Sequence, residues 1–225
     1  MGEIIGAMLP FVAGVALSPV PLIAVILTLF SERGRSASIG FLVGWMLGLA
    51  AMVSLVAALA TVIPRGDGGE AAPWTGGSPG ALGGTLLVLA VRSWRSRPGP
   101  DEEPVLPSWM KTIDALGFAG ALRLGLVLSI ANPKVVVFCL TVGIGLGTAA
   151  LTPGELIAAI IIFVVLSSST VAAPVIAYLV ASDRLRAPLA RLRDWIAREN
   201  QVIMAVLFAV LGWNAIGDGI ATIWP

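Results

Sequence analysis

Lys134 combines a charged side chain with a position where a charge is costly. It lies near the middle of a long apolar stretch, residues 122–147, and a charge at the centre of a membrane helix costs about 2.5–3.5 kcal/mol to insert. A chain that keeps such a charge directs it into the helix bundle, either in a structural ion pair or against a bound ion or substrate. Asp218 is the candidate acidic partner, and Asn214 lies one turn before it on the same helical face.

A short motif occurs twice, and each copy precedes a proline break. Gly14–Ser18 reads Gly-Val-Ala-Leu-Ser before Pro-Val-Pro, and Gly125–Ser129 reads Gly-Leu-Val-Leu-Ser before Ile-Ala-Asn-Pro-Lys. The shared pattern, Gly-x-x-Leu-Ser, falls in the first and fourth of six predicted membrane spans. Those two spans cross the bilayer in opposite directions. The motif therefore predicts an inverted repeat of three plus three helices, a plan found in many secondary transporters.

The prolines after the two motifs change the backbone chemistry of their helices. Proline has no N–H and clashes with the carbonyl four residues earlier, so Pro19 frees the carbonyl of Val15 and Pro133 frees that of Ser129. In hydrocarbon such a carbonyl needs a polar partner or a water-filled cavity. Broken helices at matching positions of two halves indicate a binding site near the bilayer midplane. The alternative is a pair of tolerated kinks. The candidate substrate- or ion-binding residues are Ser18, Pro19, Pro21, Ser129, Asn132, Pro133, Lys134, Asn214 and Asp218.

Three further features have structural alternatives. The hydroxyl run Ser167–Thr170 either faces a cavity or bonds back to carbonyls of its own helix. Pro174 in the same span is predicted to be only a kink. Gly40, Gly44 and Gly48 recur every four residues, a spacing that favours close helix packing and also permits a homodimer.

The composition excludes several classes of protein. Hydrophobic residues make up 57% of the 225 residues and charged residues 12%, with a mean hydropathy of +0.96, whereas soluble domains carry about 25% charged residues. The chain has no histidine and a single cysteine, Cys139, which excludes histidine-ligated metals, a Ser-His-Asp triad and an intrachain disulfide. We therefore expect no enzyme activity, no cofactor, no bound metal and no nucleic-acid partner.

The apolar stretches predict an all-α integral membrane protein with six transmembrane helices, of which the first and fourth are broken. Trp74 and Trp94 bracket the third stretch about 30 Å apart along a helix, which fits the two aromatic belts of a bilayer. The predicted spans are 4–30, 39–63, 75–94, 122–147, 155–181 and 202–224.

The basic residues predict the orientation of these spans. Twelve of the 14 lysines and arginines lie on one side, and the opposite loops contain only Arg65. The positive-inside rule makes the basic side cytoplasmic and places both termini outside. The whole chain, 1–225, is then one transmembrane domain, with a first repeat over about 1–94, a cytoplasmic linker over 95–121 and a second repeat over about 122–225.

An arginine-rich segment, residues 184–198, lies between the fifth and sixth predicted spans. Its leucines and Ile196 share one helical face. This pattern predicts either an amphipathic helix on the inner leaflet that attracts anionic lipids or a connector packed on the protein itself.

At Ser18-Pro19-Val20-Pro21 and Asn132-Pro133-Lys134 the chain resembles the lysine-exporter (LysE) superfamily. The Leu17-Ser18-Pro19 version is most similar to the actinobacterial branch named for addressing glycopeptidolipids and sulfolipids to the cell surface. Amino-acid exporters have Pro-Gly-Pro where this chain has Val20 between the prolines, and the asparagine that often follows the lysine is Val135 here. The resemblance implies an exporter whose site lies between two broken helices.

These observations predict a multi-pass transporter of the inner (plasma) membrane that exports a lipid, a glycolipid or a similar amphiphile. In this hypothesis Lys134 contacts an anionic headgroup or acts in ion coupling, and the arginine-rich segment gathers membrane lipids. One alternative is an exporter of small solutes, such as amino acids or cations, that uses the same site. A second alternative is a non-transporting membrane scaffold for cell-envelope lipid assembly.

Overall fold

The computed structural model describes residues 2–62, 79–97, 113 and 115–223. Within these ranges the chain is α-helical, without a β-strand. Eight helices are described: α1 (Gly2–Ala16), α2 (Pro19–Phe30), α3 (Gly34–Val62), α4 (Pro79–Arg95), α5 (Phe118–Ala131), α6 (Pro133–Thr148), α7 (Pro153–Ser167) and α8 (Ser169–Ile223).

Several of these helices are two parts of one bent segment. The α1–α2 pair bends by 52°, the α5–α6 pair by 70°, and α7 bends by 61° against the first part of α8. By length and composition, α3 and the Ala187–Trp213 part of α8 are each able to span a membrane. Counting each bent pair as one span gives up to five candidate spans among the described residues. This confirms an all-helical membrane protein with breaks in the first and fourth predicted spans.

The proline breaks follow from local chemistry. Pro19 and Pro133 each occupy the first turn of a new helix, the position where a missing N–H costs nothing. The residues before them, Ser18 and Asn132, adopt extended backbone conformations, as expected for a residue that precedes proline. Each break therefore ends one helix and starts another within two residues.

The other predicted spans differ from the described helices in their bounds. The third prediction began at residue 75, and the described helix α4 begins at Pro79 and has 17 residues, about 25 Å of helix. The residues before Pro79 lie outside the described ranges. The sixth prediction, 202–224, overlaps the end of α8, which the structure describes to Ile223, and the candidate span of that helix begins earlier, at Ala187. The arginine-rich segment is part of the same helix.

The described residues fall into two compact units. The first comprises residues 1–62 and 105–197, and the second comprises 63–104 and 198–225. In the first unit α3 packs most extensively on α5 and α6, with Phe41, Trp45 and Phe163 completely buried. Gly44 and Gly48 lie against α5, where a Cβ at Gly48 would collide with the hydroxyl of Ser129. This confirms the close packing predicted from the glycine spacing.

The arginine-rich segment is partly packed in the first unit. Ile196 forms a buried cluster with Ile23 and Ile113, and Leu189 is buried as well. The contacts of Ile196 and the burial of Leu189 support the second alternative for this segment, a connector that packs on the protein itself.

Candidate functional site

The α5–α6 break places a lysine inside the first unit. Asn132 caps α6, and its Oδ1 accepts a hydrogen bond from the backbone N–H of Lys134 at 3.2 Å. Asparagine at the N-cap followed by proline is a favoured start for a helix, so these two residues fix the direction of α6. Lys134 is its second residue and only 8% exposed. Among the described residues it is the buried side chain that carries a charge.

Ser129 has a packing role that the sequence did not predict. Its side chain is fully buried, and its hydroxyl donates to the carbonyl of Leu126 in its own helix at 2.8 Å. The hydroxyl also occupies the space that Gly48 leaves on α3. Ser129 was predicted to line the site, and in the structure its hydroxyl donates to a carbonyl within α5.

The α1–α2 break lies beside a second buried serine. The N–H of Ser18 donates to the carbonyl of Val15 at 3.1 Å, so the carbonyl that Pro19 was expected to free has a partner within its own chain segment. Ser18 itself is buried, and its side chain makes no capping bond to α2. Pro19 and Pro21 are buried in the first turn of that helix.

A third break, between α7 and α8, was not predicted. Pro174 was the expected kink, yet it lies inside α8 and the bend occurs at Ser168. Ser167 is 0% exposed and Ser168 is 1% exposed. Neither hydroxyl has a hydrogen-bond partner in the described part of the chain. Burying a hydroxyl without a partner costs about 1–3 kcal/mol. These two groups are therefore available to a ligand or to water.

A long-range hydrogen bond joins the first and third breaks. The hydroxyl of Thr170, in the first turn of α8, donates to the carbonyl of Ala16, the last residue of α1. This bond satisfies the carbonyl of the last residue of α1, one of the terminal carbonyls that a helix leaves without an N–H partner of its own. Because Thr170 follows Ser167 and Ser168 closely and Ala16 precedes Ser18 by two residues, this bond brings the two unpartnered hydroxyls near Ser18.

Packing between α1 and α6 places Lys134 at the level of the α1–α2 break. Phe138 fills the space above Gly14, and its ring lies 6.1 Å from that of Phe11. An apolar groove farther along joins Ile4 and Met8 of α1 with Val142 and Leu146 of α6, so the two helices run antiparallel. Continuing this register by one helical turn from Phe138 aligns Lys134 with the last turn of α1.

The remaining predicted site residues, Asn214 and Asp218, belong to α8, and their side chains lie outside the described residues. Within the described ranges no three histidine, cysteine or carboxylate side chains form a group able to hold a metal. The described site thus consists of one buried ammonium group, buried hydroxyls and the ends of broken helices. Such a set is suited to binding a polar or negatively charged group.

A protein-family model matches most of the chain. The family described as Sap, sulfolipid-1-addressing protein, matches residues 8–221, which include both prolines of the first break, the Asn132-Pro133-Lys134 motif and the third break. No curated protein and no solved structure matches the chain.

Proposed function

The chain belongs to the family of sulfolipid-1-addressing proteins, and we propose that it is a secondary transporter of the plasma membrane that moves an anionic lipid or glycolipid toward the cell surface. The family supports a role in lipid addressing or export. The wider relationship to the lysine-exporter superfamily, inferred from the two proline motifs, agrees with this role.

The burial of Lys134 is the observation that carries the proposal. An ammonium group that is 8% exposed lies in a low-dielectric apolar bundle, where its attraction for an anionic ligand is much stronger than in water. The group also lies in the first turn of α6, where the helix dipole adds partial positive charge. Both contributions favour a negatively charged headgroup such as a sulfate or phosphate ester.

Two buried serines supply the neutral contacts of the proposed site. Each hydroxyl of Ser167 and Ser168 is able to donate one hydrogen bond and accept others, and neither is engaged within the described residues. A headgroup that carries sugar hydroxyls or ester oxygens would satisfy both. Hydrogen bonds of this kind also orient the ligand, whereas Lys134 supplies the charge recognition.

The proposed transport cycle uses the three plus three inverted repeat. The α1–α2 and α5–α6 bends follow equivalent motifs, and α1 packs antiparallel to α6, as inverted halves would require. In this arrangement the chain has six spans, both termini lie outside, and the two halves rock around the broken helices. Asn214 and Asp218 of the sixth span remain candidate site residues that the sequence predicts.

The experiment compares the lipids extracted from the surface of four strains: a deletion strain and the same strain carrying wild type, Lys134→Met or Lys111→Met at matched expression. Lys111 is the other lysine of the chain and lies in the predicted cytoplasmic linker, so it controls for the loss of one positive charge. The proposal predicts that one lipid class disappears from the surface and accumulates inside, and that wild type and Lys111→Met restore it while Lys134→Met does not.

Two results would replace the proposal. Unchanged surface lipids in all strains would favour an exporter of small solutes. Full restoration of the surface lipid by Lys134→Met would favour a scaffold whose function does not require the midplane site.

A further inference from the structure

The second unit contains an apolar groove that the transport proposal does not use. It lies between α4 and the last part of α8 and has a volume of about 290 Å³. Small side chains line most of it, and an arginine and a tryptophan stand at one end. Six of the lining residues are Ala90, Trp94, Arg95, Ala205, Val206 and Ala209.

Glycine contacts show where α4 and α8 come closest together. A Cβ at Gly212 would lie 2.9 Å from the carbonyl oxygen of Gly83 and 3.1 Å from the side chain of Leu87, so α4 and α8 nearly touch there. Ala90 and Ala205 share the groove farther along, which shows that the two helices run antiparallel. The groove opens as the helices continue from the glycine contact toward Trp94 and Arg95.

The open end of the groove is positively charged. Arg95 lines it, and the guanidinium carbon of Arg97 lies 4.3 Å from the centre of the Trp94 ring. This cation–π contact holds a second guanidinium group beside the same opening. In the described part of the chain neither arginine pairs with a carboxylate, since the ion pair found there joins Arg193 and Asp194. Both groups are therefore available to an anion.

The walls of the groove are apolar and open to their surroundings. Val91 is 52% exposed, Trp94 49% and Val206 55%. In a membrane protein such a surface faces hydrocarbon, so its exposure carries no penalty. An apolar channel that ends at two guanidinium groups matches an amphiphile with an acyl chain and a negatively charged headgroup.

We propose that this groove is a binding site for one anionic membrane lipid, with an acyl chain along Ala205 and Ala209 and the headgroup oxyanion between Arg95 and Arg97. The groove belongs to the second unit and Lys134 to the first, and lipid binding in the groove does not depend on transport. Bidentate pairing of a guanidinium group with phosphate oxygens provides the headgroup preference. The small side chains of Ala205 and Ala209 leave room for the acyl chain.

Native mass spectrometry of the purified full-length protein tests this proposal with phosphatidylglycerol and phosphatidylcholine of identical acyl chains. Wild type should retain one phosphatidylglycerol under activation that removes phosphatidylcholine. Each arginine near an anionic lipid contributes about a fivefold preference for that lipid. The preference for phosphatidylglycerol over phosphatidylcholine should therefore fall about 25-fold in the Arg95→Gln/Arg97→Gln double variant. Arg123→Gln, at an exposed arginine of α5 in the first unit, should retain the wild-type preference.

A second variant tests the acyl chain contact separately. Ala209→Phe fills the groove and should weaken retention of both lipids, whereas Ala51→Phe, at an exposed position of α3, should not. Equal retention of the two lipids by wild type would overturn the proposal, and so would an unchanged preference in the double arginine variant. A lipid-free dimer that Ala209→Phe converts to a monomer would overturn it as well, because a second copy of the chain would then be the occupant.

Discussion

Replacing Gly14 with alanine tests the packing that positions Lys134. A Cβ at this position would fall inside van der Waals contact with the ring of Phe138, which is itself buried, at 1% exposed. The ring would have to shift into a neighbourhood that is already filled. Overpacking of a buried site by one methyl group costs about 1–3 kcal/mol, which corresponds to a decrease in Tm of about 2–12 °C for a chain of this size.

The comparison uses two additional variants. Gly6→Ala lies on the same helix, where a Cβ meets nothing within 4 Å, so its Tm should remain within about 2 °C of wild type or rise slightly because alanine favours helix. Phe138→Leu removes the ring edge that collides with the new methyl group. The Gly14→Ala/Phe138→Leu double variant should therefore be more stable than the sum of its single changes predicts, by about 1 kcal/mol or more.

Thermal unfolding of the purified variants in the same detergent provides the measurement. A Gly14→Ala variant as stable as Gly6→Ala would refute the close approach of α1 to Phe138. Strict additivity in the double variant would show that the cost arises elsewhere. Either result would contradict the alignment of α1 with α6 that places Lys134 level with the end of α1.

Two further substitutions test the third break. Ser167→Ala removes a buried hydroxyl without a partner, so the Tm should stay the same or rise while transport decreases. The buried hydroxyl of Ser38 has a partner, so Ser38→Ala should instead lower stability by about 1 kcal/mol. A parallel decrease in Tm for both serine variants would mean that the Ser167 hydroxyl has a structural partner. Thr170→Val removes the bond to the carbonyl of Ala16 and should cost about 1–3 kcal/mol in thermal unfolding, whereas Thr170→Ser should retain most of the stability. Equal stability of the two Thr170 variants would show that this bond contributes little.

The breaks that could be predicted from sequence are those that proline imposes. Pro19 and Pro133 remove an N–H and exclude the preceding residue from helical geometry, and both effects are local. The third break lies beside a contact between Thr170 and Ala16, which are 154 residues apart. No rule applied to the span itself selects Ser168 over Pro174 as the point where it bends.

The site residues divide in the same way. Lys134 was identifiable because an isolated charge in an apolar run has few explanations. The role of Ser129 depends on Gly48 of a different helix, and the sequence does not indicate which helices are neighbours. The hydroxyl run gave two alternatives for Ser167, and only the surrounding structure leaves that hydroxyl without a carbonyl partner.

The groove in the second unit was also beyond sequence reasoning. Trp94 was expected at a membrane interface, and the arginines near it were used only to assign the cytoplasmic side. Their significance as a pair depends on the ring contact of Arg97 and on the alanines of α8 that face α4. Both features require tertiary structure.

Lipid translocation by purified protein tests the central claim most directly, namely that an anionic lipid crosses the membrane through the site of Lys134. Wild type, Lys134→Met and Lys111→Met would be reconstituted in liposomes containing a headgroup-labelled anionic lipid, and its loss from the inner leaflet would be followed with a membrane-impermeant quencher. The account predicts translocation by wild type and Lys111→Met and background rates for Lys134→Met. Equal translocation by all three proteins would contradict it.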